Sequence, residues 1–559
     1  MVRVKNLGKV SHDMSDRMYQ PGESYRYQLL IKHILNFPLT IAPEQEIVYR
    51  DKVRLTYRTL NERVHRLASG LAKLGVKQGD TVCVFDYDSH RYLECYFAVP
   101  MMGAVLHTQN WRLSPEQILY TMNHAEDDVV LIHEDFLPLL EGIRGQMTTV
   151  KKVVLITESG NAPAAVKIDG EYETMLREAD PRYDFPDDLD ENTKATTFYT
   201  TGTTGLPKGV FFSHRQIVLH AMVSTMNNAV ESPCRFRSND VYMPITPMFH
   251  VQAWGLPYVA TLLAVKQVYP GKYEPETLLR LIEKEKVTYS HCVATIILLI
   301  LNSPSAKNAD LSHWKVIIGG GRLPKGLALE MMKRGIETYS GYGMSESGPN
   351  MTIANLQPHQ LAWDKERQVD TLISTGHPLP FVYLKVLDEE GKELPHDGSS
   401  TGEIVVRSPW LTENYFKDPE RAKDLWRDGW MHTGDVAYIN PNGYIQITDR
   451  AKDVIKTGGE WISSLDLENA ISQHGAVMEA AAIGIPDPKW QERPLLVVVL
   501  RDEFKGKLDE AALKDFITQF AVEGKLPKYG IPDRIEIVDQ IPKTSVGKIN
   551  KVALRKMYA

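Results

Sequence analysis

The chain has 559 residues, 43% of them hydrophobic and 24% charged, with a formal net charge of −7. That length implies more than one domain, and the composition is that of an ordinary globular protein. The negative balance excludes a broad nucleic-acid or anionic-membrane surface, so a phosphate-bearing ligand must be held by local Lys, Arg and backbone N–H groups.

Taken in chain order, the opening MVRVKNLGKVSHDM has no apolar core of a signal peptide. Leu60, Val64, Leu67, Leu71 and Leu74 recur at three- and four-residue spacing, which predicts an amphipathic helix ending at Gly75. A turn at Gly79-Asp80 leads into the strand TVCVF (81–85). Strands VLHT (105–108), DVVLIHE (128–134) and KVVLIT (152–157) follow, with a helix ILYTMNHA (118–125) among them. Short apolar strands separated by helices predict parallel sheets covered on both faces. The acidic DPRYDFPDDLDEN (180–192) reads as a surface connection. VATIILLIL (293–301) is far short of the ~20 residues that span a bilayer, and predicts a buried helix. Residues 429–450 read as a β hairpin turning at Pro441-Asn442-Gly443. Beyond Asp449, the strands VMEAAAIGIP, LLVVVL and RIEIVD and the helix DEAALKDFITQF predict a small α+β domain, 449–559, after a large one, 1–448. The four cysteines, Cys83, Cys95, Cys234 and Cys292, form no C-x-x-C pair and read as reduced thiols of a cytoplasmic protein.

Six stretches carry the chemistry. YTTGTTGLPKG (199–209) has the glycines, hydroxyls and lysine of an anion-wrapping loop, yet it misses the P-loop register: Pro207, Lys208 and Gly209 stand where Gly, Lys and Ser or Thr are required. Read alone, it is equally a polar hairpin. IIGGGRLP (317–324) runs a strand into three glycines, which allows close approach to a flat ligand. SGYGMSESG (340–348) offers an aromatic face at Tyr342 and a carboxylate at Glu346 that can hold Mg²⁺. Asp435, in the sequence TGD, can accept from paired ribose hydroxyls. DRAKDVIKTGGEWIS (449–463) and IPKTSVGKINK (541–551) complete the set, the latter with Lys548 on a flexible S-V-G turn. Each alone reads better as turn chemistry and surface charge.

Together, in this order and at these separations, the six stretches resemble the adenylate-forming superfamily of acyl-CoA synthetases, luciferases and peptide-synthetase adenylation domains, from about Tyr57 to Lys551. The resemblance implies an α/β fold: a large N-terminal domain of parallel-rich sheets layered with helices, with a smaller β subdomain, and a mobile C-terminal α+β domain. It implies two half-reactions. A carboxylate attacks the α-phosphorus of ATP to give acyl-adenylate and pyrophosphate; a thiol then displaces AMP.

Residue by residue, it implies that Thr200, Thr201, Gly202, Thr203, Thr204, Gly205 and Lys208 wrap the β- and γ-phosphates, and that Glu346, with Thr200, holds Mg²⁺. Gly320 and Gly321 would lie against adenine, Tyr342 would stack on it, and Ser340 and Gly341 would line the slot. Ser345 departs from the family's usual Thr but keeps the hydroxyl for a phosphate contact. Asp435, assisted by Arg450, would bind ribose, and Lys548 would meet the oxygens on which charge develops. Asp449 would be the hinge that exchanges Lys548 for the face of Lys452, Lys456 and Trp461, with Gly458 and Gly459 passing the pantetheine arm of coenzyme A. ATP, Mg²⁺ and coenzyme A are thereby implied, with no nucleic acid, no stable membrane insertion, and a homodimer by similarity.

The acid itself is less defined. His250, with Trp254 four residues later in MFHVQAWGLPY, would share one face if that stretch is helical, His250 near the carboxylate and thiol path, Trp254 as gate to an apolar tunnel or as a core residue. KWQERPL (489–495) and GGEWIS also look like the medium- and long-chain branch, and point to a fatty acid; an aryl acid is the alternative.

Overall fold

The structure, a computed structural model, describes residues 27–160, 167–200, 206–227, 235–450, 453–458 and 460–558. Four sheets organise it. A seven-stranded sheet contains Thr81–Phe85, Val105–Thr108, Asp127–His133 and Lys152–Ile156, all parallel, and ends in the antiparallel pair Lys194–Thr200 and Lys208–Ser213. A nine-stranded sheet carries a parallel centre through Val241–Pro244, Tyr289–Cys292, Lys315–Ile318 and Glu337–Gly343. The strands predicted from the apolar runs fall within one residue of these bounds, because each run is buried on both faces and its side chains have no polar alternative.

The predicted helix is Tyr57–Lys73; Thr56 caps it by accepting from the Thr59 amide, and Gly75 follows at φ +97°. The 180–192 stretch runs over the surface. One expectation needs correction. The apolar 293–301 run forms the helix Ala294–Leu301, but only Ile297, Ile300 and Leu301 are buried, and Leu299 is 58% exposed. Its composition is apolar all round, yet only one side packs on the core.

A five-stranded antiparallel sheet includes the 429–450 hairpin, Trp430–Ile439 paired with Ile445–Arg450, which turns at Gly443 with φ +82°. The last sheet lies wholly beyond it: Ile455–Thr457, Glu460–Ile462, Val477–Asp487, Gln491–Leu500 and Arg534–Ile537, covered by the helices Ser464–Ile471 and Glu510–Val522. These make a large N-terminal domain and a C-terminal β-rich domain with its own core around Leu467, Leu496, Val498 and Leu513. No helix among the described residues is long and apolar enough to cross a membrane.

The C-terminal domain is seated against the large one. Arg322 Nη1 pairs with Asp466 at 2.6 Å, Arg501 Nη2 pairs with Glu330 at 2.7 Å, and the Lys325 amide donates to Asn469 Oδ1. At the centre of this contact Gly326 has no room for a side chain: a Cβ there would lie 1.9 Å from the Ser472 carbonyl oxygen.

Candidate active site

The strands of the nine-stranded sheet end at a cavity lined by His250, Val251, Trp254, Gly319, Gly320, Gly341, Tyr342, Ser345 and Lys548. The strand Lys315–Ile318 delivers the glycine run, with Gly320 at φ +75°, and its neighbour Glu337–Gly343 delivers Gly341 and Tyr342. Missing side chains are part of the construction. A Cβ on Gly319 would stand 2.9 Å from the Trp254 ring, and one on Gly320 would stand 2.7 Å from Lys548 Cε.

Lys548 reaches this place on a tight turn. The Thr544 amide donates to the Lys548 carbonyl and the Gly547 amide to the Thr544 carbonyl, with Gly547 at φ +82°. The large domain grips the turn: Thr295 Oγ1 donates to Gly547 O, Asn110 Nδ2 to Ser545 Oγ, and Arg112 Nη1 to Ser545 O at 3.0 Å. Burial first, and then the Arg450 guanidinium, push the Lys548 ammonium down to about 8; Asp435 and Glu346 pull the other way. A lysine is charged below its pKa. The ammonium is therefore present at neutral pH and lost as pH rises through about 8. The kcat/KM for adenylation should fall with a single ionisation near pH 8; a profile flat through pH ~9 would separate the rate from this group.

Behind Lys548 stand the two carboxylates. Asp435 Oδ2 accepts from the Tyr342 hydroxyl at 2.7 Å, and Asp435 Oδ1 pairs with Arg450 Nε at 3.3 Å. Burial, then Asp435 itself, hold the Tyr342 hydroxyl in its protonated, donating form. Glu346 is buried, and its Oε1 accepts from the Tyr415 hydroxyl at 2.7 Å. Tyr415 also lies beneath Lys208, whose ammonium sits 4.4 Å from the ring centroid. Thr200 and Lys208 face each other across the hairpin on either side of residues 201–205. A single buried carboxylate suits Mg²⁺, which takes one or two protein carboxylates and completes its shell with phosphate oxygens and water. Glu346 and Thr200 are the residues that would hold it; the ion would neutralise phosphate charge.

The structure thus brings His250, Trp254, Gly320, Gly341, Tyr342, Ser345 and Lys548 to one cavity, with Asp435, Arg450 and Glu346 against it. Ser340 is buried beside it, its hydroxyl without a partner among the described residues, while Gly321 is exposed. Thr201, Gly202, Thr203, Thr204, Gly205, Lys452 and Gly459 lie outside the described residues. Lys456, Gly458 and Trp461 do not line the cavity. They are exposed residues of the hairpin Ile455–Thr457 and Glu460–Ile462, where Gly458 packs on Trp490. Asp449 is buried; its Oδ1 accepts from the Arg450 amide and its Oδ2 from the Ser464 amide, both at 2.8 Å.

The helical reading of His250 to Trp254 is corrected. Val251, Gln252, Ala253 and Trp254 all have positive φ, from 47° to 60°, and Gly255 closes the turn at 69°. This is a left-handed turn, which costs non-glycine residues about 1–2 kcal/mol each, and the right-handed i, i+4 face does not exist. His250 and Trp254 meet at the cavity because the reversed turn aims both there. Burial, then Lys548, depress the His250 imidazole to about 3, so it is neutral. Trp254 is 6% exposed, part of the main core, and tilted against His291 at 5.0 Å.

Sequence reasoning missed Tyr415, Asn110 and Arg112. Tyr415 lies in an unremarkable TENYF stretch, and the other two meet the lysine turn from more than 430 positions away, so only the fold joins them.

The AMP-binding enzyme family matches residues 40–416, and the AMP-binding enzyme C-terminal domain matches residues 466–548. The chain belongs to the AMP-binding enzyme family. It is 42% identical over 509 residues to a long-chain-fatty-acid–CoA ligase of Thermus thermophilus, covering 90% of each chain. It is 36% identical over 547 residues to a medium-chain-fatty-acid–CoA ligase of Ectopseudomonas oleovorans, covering 96% of this chain and 97% of that one. Its fold is that of the anthranilate CoA ligase AuaEII, solved with anthranoyl-AMP, with a TM-score of 0.83 at 24% identity over 96% of this chain and 98% of that one.

Proposed function

We propose that this AMP-binding enzyme is an ATP-dependent, AMP-forming acid–CoA ligase whose acid is a medium- or long-chain fatty acid. The observation that carries the reading is the seating of Lys548 against Gly320, within the field of Asp435, Arg450 and Glu346, with Tyr342 bonded to Asp435 and Tyr415 bonded to Glu346. A carboxylate is a poor acyl donor because oxide is a poor leaving group; adenylation supplies AMP instead. The displacement at the α-phosphorus needs positioning and charge neutralisation more than covalent help. Lys548 answers the charge developing between carboxylate and phosphate, Lys208 and its loop hold the departing pyrophosphate, and Asp435 and Tyr342 fix ribose and adenine. Neutral His250 stands where the acid and the thiol approach, and donates or accepts without adding charge.

The second half-reaction uses the small domain, 449–559, in another orientation about Asp449. Withdrawing Lys548 opens the cavity, and the hairpin with exposed Lys456, Gly458 and Trp461 replaces it beside the pantetheine arm. Undocking releases the Arg322–Asp466 and Arg501–Glu330 pairs, both near the surface and of small net worth, together with the bonds of Thr295, Asn110 and Arg112 to the lysine turn. Membership of a homodimer and a cytoplasmic location belong to the same reading; the three described cysteines are unpaired thiols.

Substrate class is tested with straight-chain acids from two to sixteen carbons, plus benzoate, by pyrophosphate release with and without coenzyme A. Chains of about eight or more carbons should be preferred; preference for benzoate would move the assignment to an aryl acid. Trp254→Ala should shift the preferred chain length by two or more carbons while leaving the KM for ATP within about twofold. An unchanged acyl profile would make Trp254 a packing residue.

A further inference from the structure

Arg112 lies in the short connection between the strand Val105–Thr108 and the helix Pro115–Ala125. Among the described residues its guanidinium makes one hydrogen bond, and that bond leaves the large domain: Nη1 donates to Ser545 O at 3.0 Å. We propose that Arg112 is a positioning residue for adenylation, a latch that places Lys548 by holding the Ser545 carbonyl, and that it plays no part in the transfer to coenzyme A. The inference rests on the ligase reading above.

Both sides of the contact are braced. On the large domain, Asn110 Oδ1 accepts from the Arg112 amide at 3.0 Å, Gln109 Nε2 donates to Asn110 O, and Thr121 Oγ1 donates to Gln109 Oε1 at 2.9 Å. The Trp111 ring is stacked on Phe136 and makes T-shaped contacts with Tyr87 and Phe249, and the Arg112 guanidinium lies 4.6 Å from its centroid. On the small domain, Lys543 and Ile549 bridge the two arms of the lysine turn. Thr544 ties the turn together: its amide donates to Lys548 O, its hydroxyl accepts from the Lys548 amide, and its carbonyl accepts from the Gly547 amide. Ser545 and Lys548 therefore move as one piece, and fixing the Ser545 carbonyl fixes the stem of the lysine.

The charge of Arg112 makes the contact selective. The side chain is half-buried, and among the described residues it forms no ion pair. An acid in its field, Asp88, accepts from the Met248 amide at 2.8 Å and from the Tyr273 hydroxyl. Burial raises that carboxyl to about 7, so the counter-charge it offers at neutral pH is partial. A half-buried cation short of counter-charge gains from a carbonyl aimed at it, and a charged donor makes the stronger hydrogen bond. The seated orientation supplies that carbonyl; when the small domain turns about Asp449, Ser545 leaves with it. Arg112 thus favours the orientation that presents Lys548 and has nothing of the turn to hold in the other. It does not line the cavity, although its charge is felt by His250 there.

The experiment uses the whole enzyme. Adenylation is read as pyrophosphate release from ATP and octanoate, and transfer as thioester formed from supplied acyl-adenylate and coenzyme A. Arg112→Met keeps an unbranched side chain over Trp111, and should lower kcat for adenylation about tenfold, the scale of one charge-assisted hydrogen bond. The KM for ATP and the rate of transfer should stay within about twofold. Arg112→Lys, which keeps the charge, should recover adenylation to within about threefold. In the Lys548→Ala background, Arg112→Met should change adenylation by less than about twofold, because no lysine is left to place. Ser545→Ala removes the hydroxyl held by Asn110 and alters only the turn; it should lower adenylation about threefold and spare transfer. It decides the matter if the thermal midpoint of Arg112→Met falls. An equal loss in both halves, or adenylation at the unaltered rate, overturns the inference. So does a further tenfold loss, about that of the single variant, in the Lys548→Ala background, which would make Arg112 act through its field on the cavity. No release by the unaltered enzyme with any acid overturns the ligase reading, and this inference with it.

Discussion

Lys548→Ala should lower pyrophosphate release from ATP and acid by about 10²–10³, the loss expected when one preorganised donor to a developing anion is removed. Thioester formation from chemically prepared acyl-adenylate and coenzyme A should stay within about threefold of the unaltered enzyme, because AMP is already in place as leaving group. The asymmetry is the informative part. Lys548 lies in the cavity on a turn held by Asn110, Arg112 and Thr295, and it touches the glycine run that lines the cavity. Its side chain has no other role in the fold: no ion pair or hydrogen bond of its ammonium stabilises either domain among the described residues. An equal loss in both halves would remove it from the adenylation step.

Gly326→Val should give nearly the same phenotype from more distant chemistry. The position is on the large domain, within the helix Lys325–Lys333, and a Cβ would collide with the Ser472 backbone carbonyl, which has no rotamer to escape by. The C-terminal domain cannot then sit as it does here, and Lys548 cannot be delivered. Adenylation should drop about a hundredfold, approaching the loss of the lysine itself, while transfer from supplied acyl-adenylate is retained. Valine is tolerated near a helix start, so the large domain should still fold; an unchanged thermal midpoint checks this. Adenylation at the unaltered rate would show that the orientation seen here is not the one that carries out the first step.

How much of this was legible in the sequence depends on what kind of contact carries it. The strands of TVCVF, VLHT and KVVLI were readable because burial on both faces leaves a continuous apolar run. The 429–450 hairpin was readable because Asn442-Gly443 supplies the turn its register demands. The site was legible where short motifs carry their own geometry, as with Gly320 and the turn before Lys548. It was illegible where long-range packing overrules local preference. Nothing in VQAW announces four left-handed residues; the surrounding core holds them there. The bonds of Tyr415 to Glu346 and of Tyr342 to Asp435 join residues 69 and 93 positions apart, and no local pattern encodes such distances.

The most direct measurement is the identity of the products in each half-reaction, by mass spectrometry, with the protein near the concentration of ATP and octanoate. Without coenzyme A, the expected result is enzyme-bound acyl-adenylate in step with pyrophosphate; adding coenzyme A should convert it to acyl-CoA and AMP. Formation of ADP and phosphate, or of acyl-CoA with no adenylate ahead of it, would contradict an adenylating ligase.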